Sequence, residues 1–331
     1  MDLGRFYRGK TVIVTGDRGL LGTPVSAKLK DLGANVIGVN TDMFSLTQQR
    51  RTREFFHENP ADLVIHLAAR VSGIGSNAKW PAMHIQGNAE ITLNVVNAIG
   101  ERTKPTPIVA AGSVCAYASG IPVPSVEQNL WEGRPEATNL AYGASKRFLL
   151  DVLEAYHVER KLSYVYILQG NMYGPGDEFS HAISHVIPGM IYKVQKAIDL
   201  DEDEIVLWGT GKPSRDFVYA SDAADAYILA GVIAVTGDPH KNPCNYTINV
   251  ASGQEVNIFY LAEQIVSLMG YEGRVIFDTS KPDGEMRRCW RIHRARETLG
   301  WTPSTALSDG LRETISWYRQ NFNQRTYHSS L

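Results

Sequence analysis

The hydrophobic positions of the chain follow two alternating rhythms. Short apolar runs rich in β-branched residues, Thr11 to Thr15, Asn35 to Val39, Leu63 to Leu67, Ile108 to Ala111 and Tyr164 to Leu168, recur through the first half. Between them lie longer stretches with helical spacing, at about 20–32, 47–58, 84–101 and 140–160, each long enough to return the chain to the same sheet edge. The alternation predicts an α/β fold, a doubly wound parallel sheet with crossover helices. The near-continuous apolar character of the runs predicts strands buried on both faces.

Beyond Gly170 the rhythm becomes irregular, with breaks at Gly174, Pro175, Gly176, Pro188, Gly209, Gly211 and Pro213. This reads as a smaller, loop-rich lobe. The acidic run Asp199 to Glu204 is expected to be a solvated loop. A later run, Thr247 to Val250, is expected to rejoin the main sheet, so the two parts should be interleaved: residues 1–170 with about 216–255 returning, against 171–215 and 256–331.

Of the 331 residues, 44% are hydrophobic and 21% charged, the balance of an ordinary globular enzyme. A formal net charge of -2 gives no electrostatic reason to expect nucleic acid or an anionic membrane as partner. Cys115, Cys244 and Cys289 are odd in number and lack Cys-x-x-Cys spacing, so neither a disulfide framework nor a zinc site is indicated and no metal is expected. A reducing cytoplasm is the expected compartment. The polar start MDLGRFYRGK does not read as a secretory signal, and no segment approaches the roughly 20 apolar residues that span a bilayer.

The first run is followed by Gly16, Gly19 and Gly22 in a G-x-x-G-x-x-G spacing that opens a helical stretch. Glycines there permit a tight turn and let the backbone approach a pyrophosphate, while the helix start supplies unpaired N–H groups and a positive dipole end. The strand before and the helix after make this a dinucleotide site. Its choice of cofactor should be decided where the second strand ends, because an acid there binds a 2'-hydroxyl and repels a 2'-phosphate. Position 40 is Asn, and Arg18 inside the loop is suited to the extra phosphate. NADP is therefore favoured, with NAD kept open by Asp42.

Tyr142 and Lys146 stand four apart on a predicted helix and share a face. An ammonium beside a phenol lowers its reference pKa of about 10 toward neutrality, which would make Tyr142 an acid/base group. Tyr192 and Lys196 repeat the spacing, but they lie in the smaller lobe and read as structural. The first pair sits just before the fifth strand and follows the strand-terminal Ser113, at the carboxyl edge where ligands bind in open sheets.

With these motifs in view, the chain resembles the extended short-chain dehydrogenases, and within them the GDP-L-fucose synthase family. The resemblance is carried by TGDRGLLG, HLAARVSGIGSN at 66–77, GSVCAY at 112–117, YGASK at 142–146, NMYGPGDEF at 171–179, SHVIPGMI at 184–191, LWGTGKPSRDFVY at 207–219, KPDGEMRR at 281–288 and LGWTP at 299–303. It implies a Rossmann domain with a small C-terminal substrate lobe, NADPH bound partly through Asn40, Ala68, Ala69 and Asn171, and homodimers formed through two long helices per subunit. The implied reaction acts on a GDP-linked keto-sugar, GDP-4-keto-6-deoxy-D-mannose: epimerisation at C3 and C5, then reduction at C4.

By position in their motifs, Cys115 and His185 match the family's acid/base pair for protons acidified by the neighbouring ketone. Ser113 and Tyr142 would hold the C4 oxygen, and Lys146 would bind the nicotinamide ribose. Arg215 and Arg288 are suited to phosphate contacts, with Trp208 as an apolar wall and Lys193 toward the diphosphate. Arg287 and Arg291 beside Arg288 allow ordinary surface charge as the other reading. The chain departs from the family at Val114, where a second Ser is common, in AYASG after it, and in VNTDMFSLT, which lacks an Arg near position 40. A related enzyme acting on another GDP-keto-sugar, such as a deoxyheptose, is the alternative, as a 4-reductase or an epimerase that keeps half of the chemistry. A 4-epimerase would not need Cys115 and His185, and a 4,6-dehydratase would carry acids where Val114 and Cys115 stand. A non-catalytic dinucleotide-binding regulator is the remote alternative, opposed by intact Ser113, Tyr142 and Lys146.

Overall fold

The apolar runs form strands β1 (Thr11–Thr15), β2 (Asn35–Val39), β3 (Leu63–His66), β4 (Ile108–Ala111) and β5 (Tyr164–Gln169). Later in the chain come β6 (Asn171–Tyr173), β7 (Glu204–Trp208), β8 (Ser214–Arg215), β9 (Phe217–Tyr219), β10 (Asn245–Val250), β11 (Val256–Asn257) and β12 (Arg274–Asp278). The helices are α1 (Leu3–Tyr7), α2 (Gly22–Asp31), α3 (Gln49–Glu58), α4 (Pro81–Gly100), α5 (Leu140–Arg160), α6 (Val186–Leu200), α7 (Ala220–Thr236), α8 (Ile258–Met269), α9 (His293–Leu299) and α10 (Leu307–Asn321). The structure is a computed structural model and describes residues 2–71, 79–180, 184–237, 245–281 and 283–322; Cys244 and the 72–77 part of the HLAARVSGIGSN stretch lie outside them.

Six strands pair in parallel in the order β10-β5-β4-β3-β1-β2. From β1 the chain steps outward to β2, then crosses to β3 on the other side, and this reversal opens a crevice at the carboxyl ends of β1 and β3. Helices α3, α4 and α5 pack together as one group; α2, α7 and α9 form another. The fold is thus the expected Rossmann-type parallel sheet flanked by helices. Strands β3 and β4 are buried throughout, and β1 and β5 in all but a terminal residue, as their composition requires. The exception is β2, an edge strand, where only Val39 is fully buried. Helix α4 begins at Pro81, earlier than its apolar spacing suggests, because proline at a first helical position lacks only an N–H that the helix leaves unpaired.

A second core gathers Tyr173, Phe179, Ile187, Ile191, Leu261, Ile265, Leu311 and Tyr318. It is edged by three two-stranded pairs, β6 with β9, β7 with β12 and β8 with β11. Strand β10 joins the main sheet as expected, but the packing does not follow boundaries at 216 and 256. Phe217 and Tyr219 belong to the second core, because β9 pairs with β6 and not with the sheet. Trp290, Ile292, Ala295, Leu299 and Trp301 are buried in the sheet's core, where α9 covers α7 and β10. The crossing point is tied by Asp216, fully buried, whose carboxylate accepts from Ser252 N at 2.8 Å, Ser252 Oγ at 2.6 Å and Gly253 N at 3.0 Å. Among the described residues no helix is long and apolar enough to cross a membrane.

Candidate active site

The crevice is closed down to backbone dimensions. Gly16 has φ +73°, and a Cβ there would lie 3.0 Å from Ala68 N; a Cβ on Gly22 would fall 2.0 Å from Gly16 O. Only glycine satisfies both demands. Helix α2 starts at Gly22 without a side-chain cap, but Thr23 N already donates to Gly19 O at 3.0 Å and Pro24 has no N–H, so what the helix start offers an anion is chiefly its positive dipole end. Gly19 lies in this turn, its N–H donating to Gly16 O at 3.1 Å. Ala68 and Ala69 follow β3 and are half-buried. Asn171, at the start of β6, donates its amide to Asp216 O at 2.9 Å.

At the end of β2, Asn40 Nδ2 donates to Asp17 Oδ1 at 2.9 Å, and Asp42 N donates to Asn40 Oδ1 at 3.1 Å. Arg18 pairs with Asp42, and both side chains are mostly exposed, 67% and 73%. The guanidinium suited to a 2'-phosphate is therefore already engaged by the acid that would favour a 2'-hydroxyl.

Two residues of this wall escaped the sequence reading. Thr15 Oγ1 accepts from Leu67 N and Ala68 N, each at 3.2 Å, and lies 2.7 Å from His66 Nδ1, so its proton is left to donate to the ring. Burial, reinforced by Lys146, depresses the His66 pKa to about 3. The available signal was a polar residue ending each of two adjacent buried strands.

Ser113 follows β4 and caps a tight turn, Val114–Ala116, by accepting from Cys115 N at 3.1 Å. Helix α5 lies directly on this turn: a Cβ at Gly143 would meet Cys115 O at 2.3 Å. On the helix, Tyr142 and Lys146 are 6% and 5% exposed, and Ser113 opposite is 7% exposed. Lys146 Nζ donates to Ala111 O at 2.8 Å and sits 5.7 Å from the centre of the Tyr142 ring. Half-buried Cys115 acts electrostatically on Tyr142, Lys146 and Arg288, so the four groups share one neighbourhood.

The expected lowering of the Tyr142 pKa does not occur. Burial raises it, Cys115 adds to the rise, and the hydrogen bond with Ser113 opposes it. The physical reason is that the ammonium is turned to the Ala111 carbonyl and stands over the ring face. Burial also depresses Lys146 to about 8. A phenol held protonated is suited to giving a proton to an oxygen, the requirement of a carbonyl reduction.

The second core supplies the other residues. His185 caps the start of α6, with Nδ1 3.7 Å from Asp177 Oδ1 and a side chain 51% exposed. Lys193, farther along α6, donates to Val206 O at 2.7 Å, and burial lowers its pKa. Trp208 ends β7, 68% exposed, with Lys281 Nζ 5.9 Å from its ring centre. Arg215 donates to Ser214 O at 2.8 Å and Glu285 O at 2.7 Å. Arg288 is bracketed by Glu285 at 2.6 Å and Glu136 at 2.9 Å, whereas Arg287 is exposed and bidentate on Glu255. The two neighbouring arginines thus have different surroundings, and the Glu136 and Glu285 bracket was not anticipated. Of the second Tyr-x-x-x-Lys, Tyr192 is buried and Lys196 reaches Glu202 at 3.9 Å.

A parallel sheet with a glycine crevice beside a buried Ser, Tyr and Lys defines a dinucleotide-dependent enzyme of the extended short-chain type. The chain belongs to the NAD dependent epimerase/dehydratase family, whose model matches residues 12–249. GDP-L-fucose synthase 1 of Arabidopsis thaliana is 33% identical over 95% of this chain and 94% of that protein. GDP-L-fucose synthase of Escherichia coli (strain K12) is 32% identical over 94% of this chain and 97% of that protein. Among solved structures, a GDP-L-fucose synthetase from Naegleria fowleri superposes with a TM-score of 0.82 at 24% identity, covering 94% of each chain. A GDP-6-OMe-4-keto-L-xylo-heptose reductase from C. jejuni reaches 0.85 at 23% identity, over 95% of this chain and 99% of that one. These two likenesses establish the shared fold.

Proposed function

We propose that this chain is a bifunctional NADPH-dependent 3,5-epimerase and 4-reductase that converts GDP-4-keto-6-deoxy-D-mannose to GDP-L-fucose. The observation that carries the reading is Cys115, a thiol on the turn capped by Ser113 and in the electrostatic neighbourhood of Tyr142 and Lys146. A simple reductase needs the phenol; the added thiol supplies a base for the carbons beside the ketone. The relatives named GDP-L-fucose synthase, aligned over nearly the whole chain, support the same choice.

The residues fit NADPH. The glycine turn keeps side chains off the loop backbone, the dipole at the uncapped start of α2 attracts a pyrophosphate, and Arg18 is the cation for a 2'-phosphate. When bound, NADPH supplies the hydride that C4 receives. The protein's part begins with Cys115 removing the proton from C5 or C3, the electron pair passing to the C4 oxygen as an enolate. Ser113 and Tyr142 hold that oxygen. His185 returns a proton to the carbon from the opposite face. In the reduction, Tyr142 gives its proton to the same oxygen, and Lys146 orients the ribose beside it. Lys193, Arg215 and Arg288 are the cations for the diphosphate, with Trp208 as a wall. Residues 171–215 and most of 256–331 serve as the substrate lobe. The protein is read as a cytoplasmic homodimer through α4 and α5, whose surfaces expose Met83, Ile85, Leu93 and Val158.

Incubation with GDP-4-keto-6-deoxy-D-mannose in D2O, with and without NADPH, tests this. Deuterium is expected at C3 and C5 in both cases, with reduction at C4 only when NADPH is present. Reduction without label would leave a plain 4-reductase, and label without reduction an epimerase.

A further inference from the structure

The segment Gly174-Pro175-Gly176 turns sharply ahead of Asp177, with φ of +157° at Gly174 and +83° at Gly176. Asp177 N donates to Gly174 O at 3.3 Å, which folds the carboxylate inward until its side chain is 4% exposed. Oδ1 accepts from Glu178 N at 2.8 Å. Oδ2 is buried and, among the described residues, has no hydrogen-bond partner. An unsatisfied buried carboxylate oxygen is costly to keep and calls for a reason. It is the other oxygen, Oδ1, that lies 3.7 Å from His185 Nδ1, an ion-pair separation longer than a hydrogen bond, so the carboxylate as a whole stands beside the imidazole.

We infer that Asp177 is a positioning residue for His185, its carboxylate holding the imidazole by Nδ1 so that Nε2 is the nitrogen that exchanges a proton with the sugar. This rests on His185 being the acid of the proposed epimerisation. A carboxylate at Nδ1 selects the Nδ1–H tautomer of the neutral ring and stabilises the imidazolium. Contact with Asp177 raises the His185 pKa above its ordinary value, and burial works against the rise; among the described residues Asp177 is the charged group acting on the ring. The ring therefore stays protonated to a higher pH than a free histidine. In the step itself, the Nε2–H bond breaks as the enolate's electron pair forms the new C–H bond. The neutral ring keeps Nδ1–H toward Asp177, and Nε2 recovers a proton from water. The 51% exposure of the side chain gives water that access. Neither residue type nor spacing in GPGDEF marks Asp177 for this role; it is visible only because the glycine turn brings the carboxylate back to the start of α6.

The test uses the full-length protein and three variants, read by an NMR titration of the His185 ring, by deuterium wash-in against pH, and by NADPH affinity. For Asp177→Asn, the His185 midpoint is expected to fall toward the reference value of about 6.5. Wash-in should slow roughly tenfold to a hundredfold, part of a full general-acid contribution, and its high-pH limb should move to lower pH. NADPH affinity should be unchanged, which separates the effect from misfolding. Asp177→Glu, which keeps the charge, should restore the midpoint and part of the rate. An unmoved His185 midpoint in Asp177→Asn, or wild-type wash-in, overturns the inference. His185→Gln distinguishes the two levels: wild-type wash-in in that variant overturns the assignment of His185 itself. A dead His185→Gln beside an unaffected Asp177→Asn overturns only the role of Asp177.

Discussion

The face made by Ser113, Tyr142 and Lys146 and the face made by His185, Lys193 and Trp208 are built in opposite ways. The first is buried at the carboxyl edge of a six-stranded sheet, with Lys146 fixed on a backbone carbonyl and Ser113 fixed by the turn it caps. The second belongs to the smaller core, where a half-exposed imidazole starts one helix and an exposed indole ends a two-stranded pair. The difference matches two kinds of chemistry. Stabilising charge on one oxygen during reduction demands donors that do not reorganise, which burial in a sheet edge provides. Exchanging protons with carbon demands groups that recover protons from water, which exposure provides. Cys115 is intermediate in burial, held on the sheet-side turn yet half-buried, and under the proposed roles single substitutions should separate the activities.

The largest expected effect is on the buried face. Tyr142→Phe removes the protonated phenol, and reduction at C4 should fall about 10²- to 10⁴-fold, measured as NADPH oxidation. Deuterium wash-in at C3 and C5 should persist, reduced by the loss of one of two donors to the oxygen. Reduction at the normal rate would mean that another group delivers the proton, and the contrast between the faces would collapse. Cys115→Ser should act the other way. A serine hydroxyl is far less acidic than a thiol, so its deprotonated form is hardly available as a base, and wash-in should drop about a hundredfold while NADPH affinity stays. A keto-sugar already carrying both inverted centres should still be reduced. Loss of that reduction as well would place Cys115 in both activities.

How much of this was legible in the sequence follows from the same division. The sheet was readable because buried parallel strands need near-continuous apolar runs, and β1, β3, β4 and β5 supply them. Tyr142 and Lys146 were readable as one helix face. The direction of the Tyr142 pKa was not, because spacing reveals the ammonium four residues away but not the burial, nor the carbonyl that claims it. The second core was only outlined. Its strands are two to five residues long and pair across long stretches of chain, so periodicity has little to act on. The Arg288 bracket joins Glu136 and Glu285 from distant segments, and the Asp177 and His185 pairing depends on backbone turns that composition marks as loop and nothing more.

The smallest expected effect lies at the rim of the cofactor crevice and tests whether the sheet-side face keeps its rigidity out to the ribose. There the Arg18 and Asp42 pair is as exposed as the substrate-side residues, so its grip on Arg18 should be weak. Exposed pairs contribute about 0.2–1 kcal/mol, which is at most about a fivefold change in an equilibrium constant. Asp42→Asn frees Arg18 and removes a carboxylate that repels a 2'-phosphate. NADPH should then bind up to about fivefold tighter, with the gain shrinking as salt is raised. NADH, lacking the phosphate, should gain nothing. In Arg18→Ala with Asp42→Asn most of the gain should vanish, since the cation that would use the freed position is gone and only the relief of the carboxylate's repulsion is left. An equal improvement for NADH and NADPH would mean that Asp42 does not read the 2' substituent. Discrimination would then rest on Asn40 and Asp17, whose hydrogen bond keeps the end of β2 against the glycine loop.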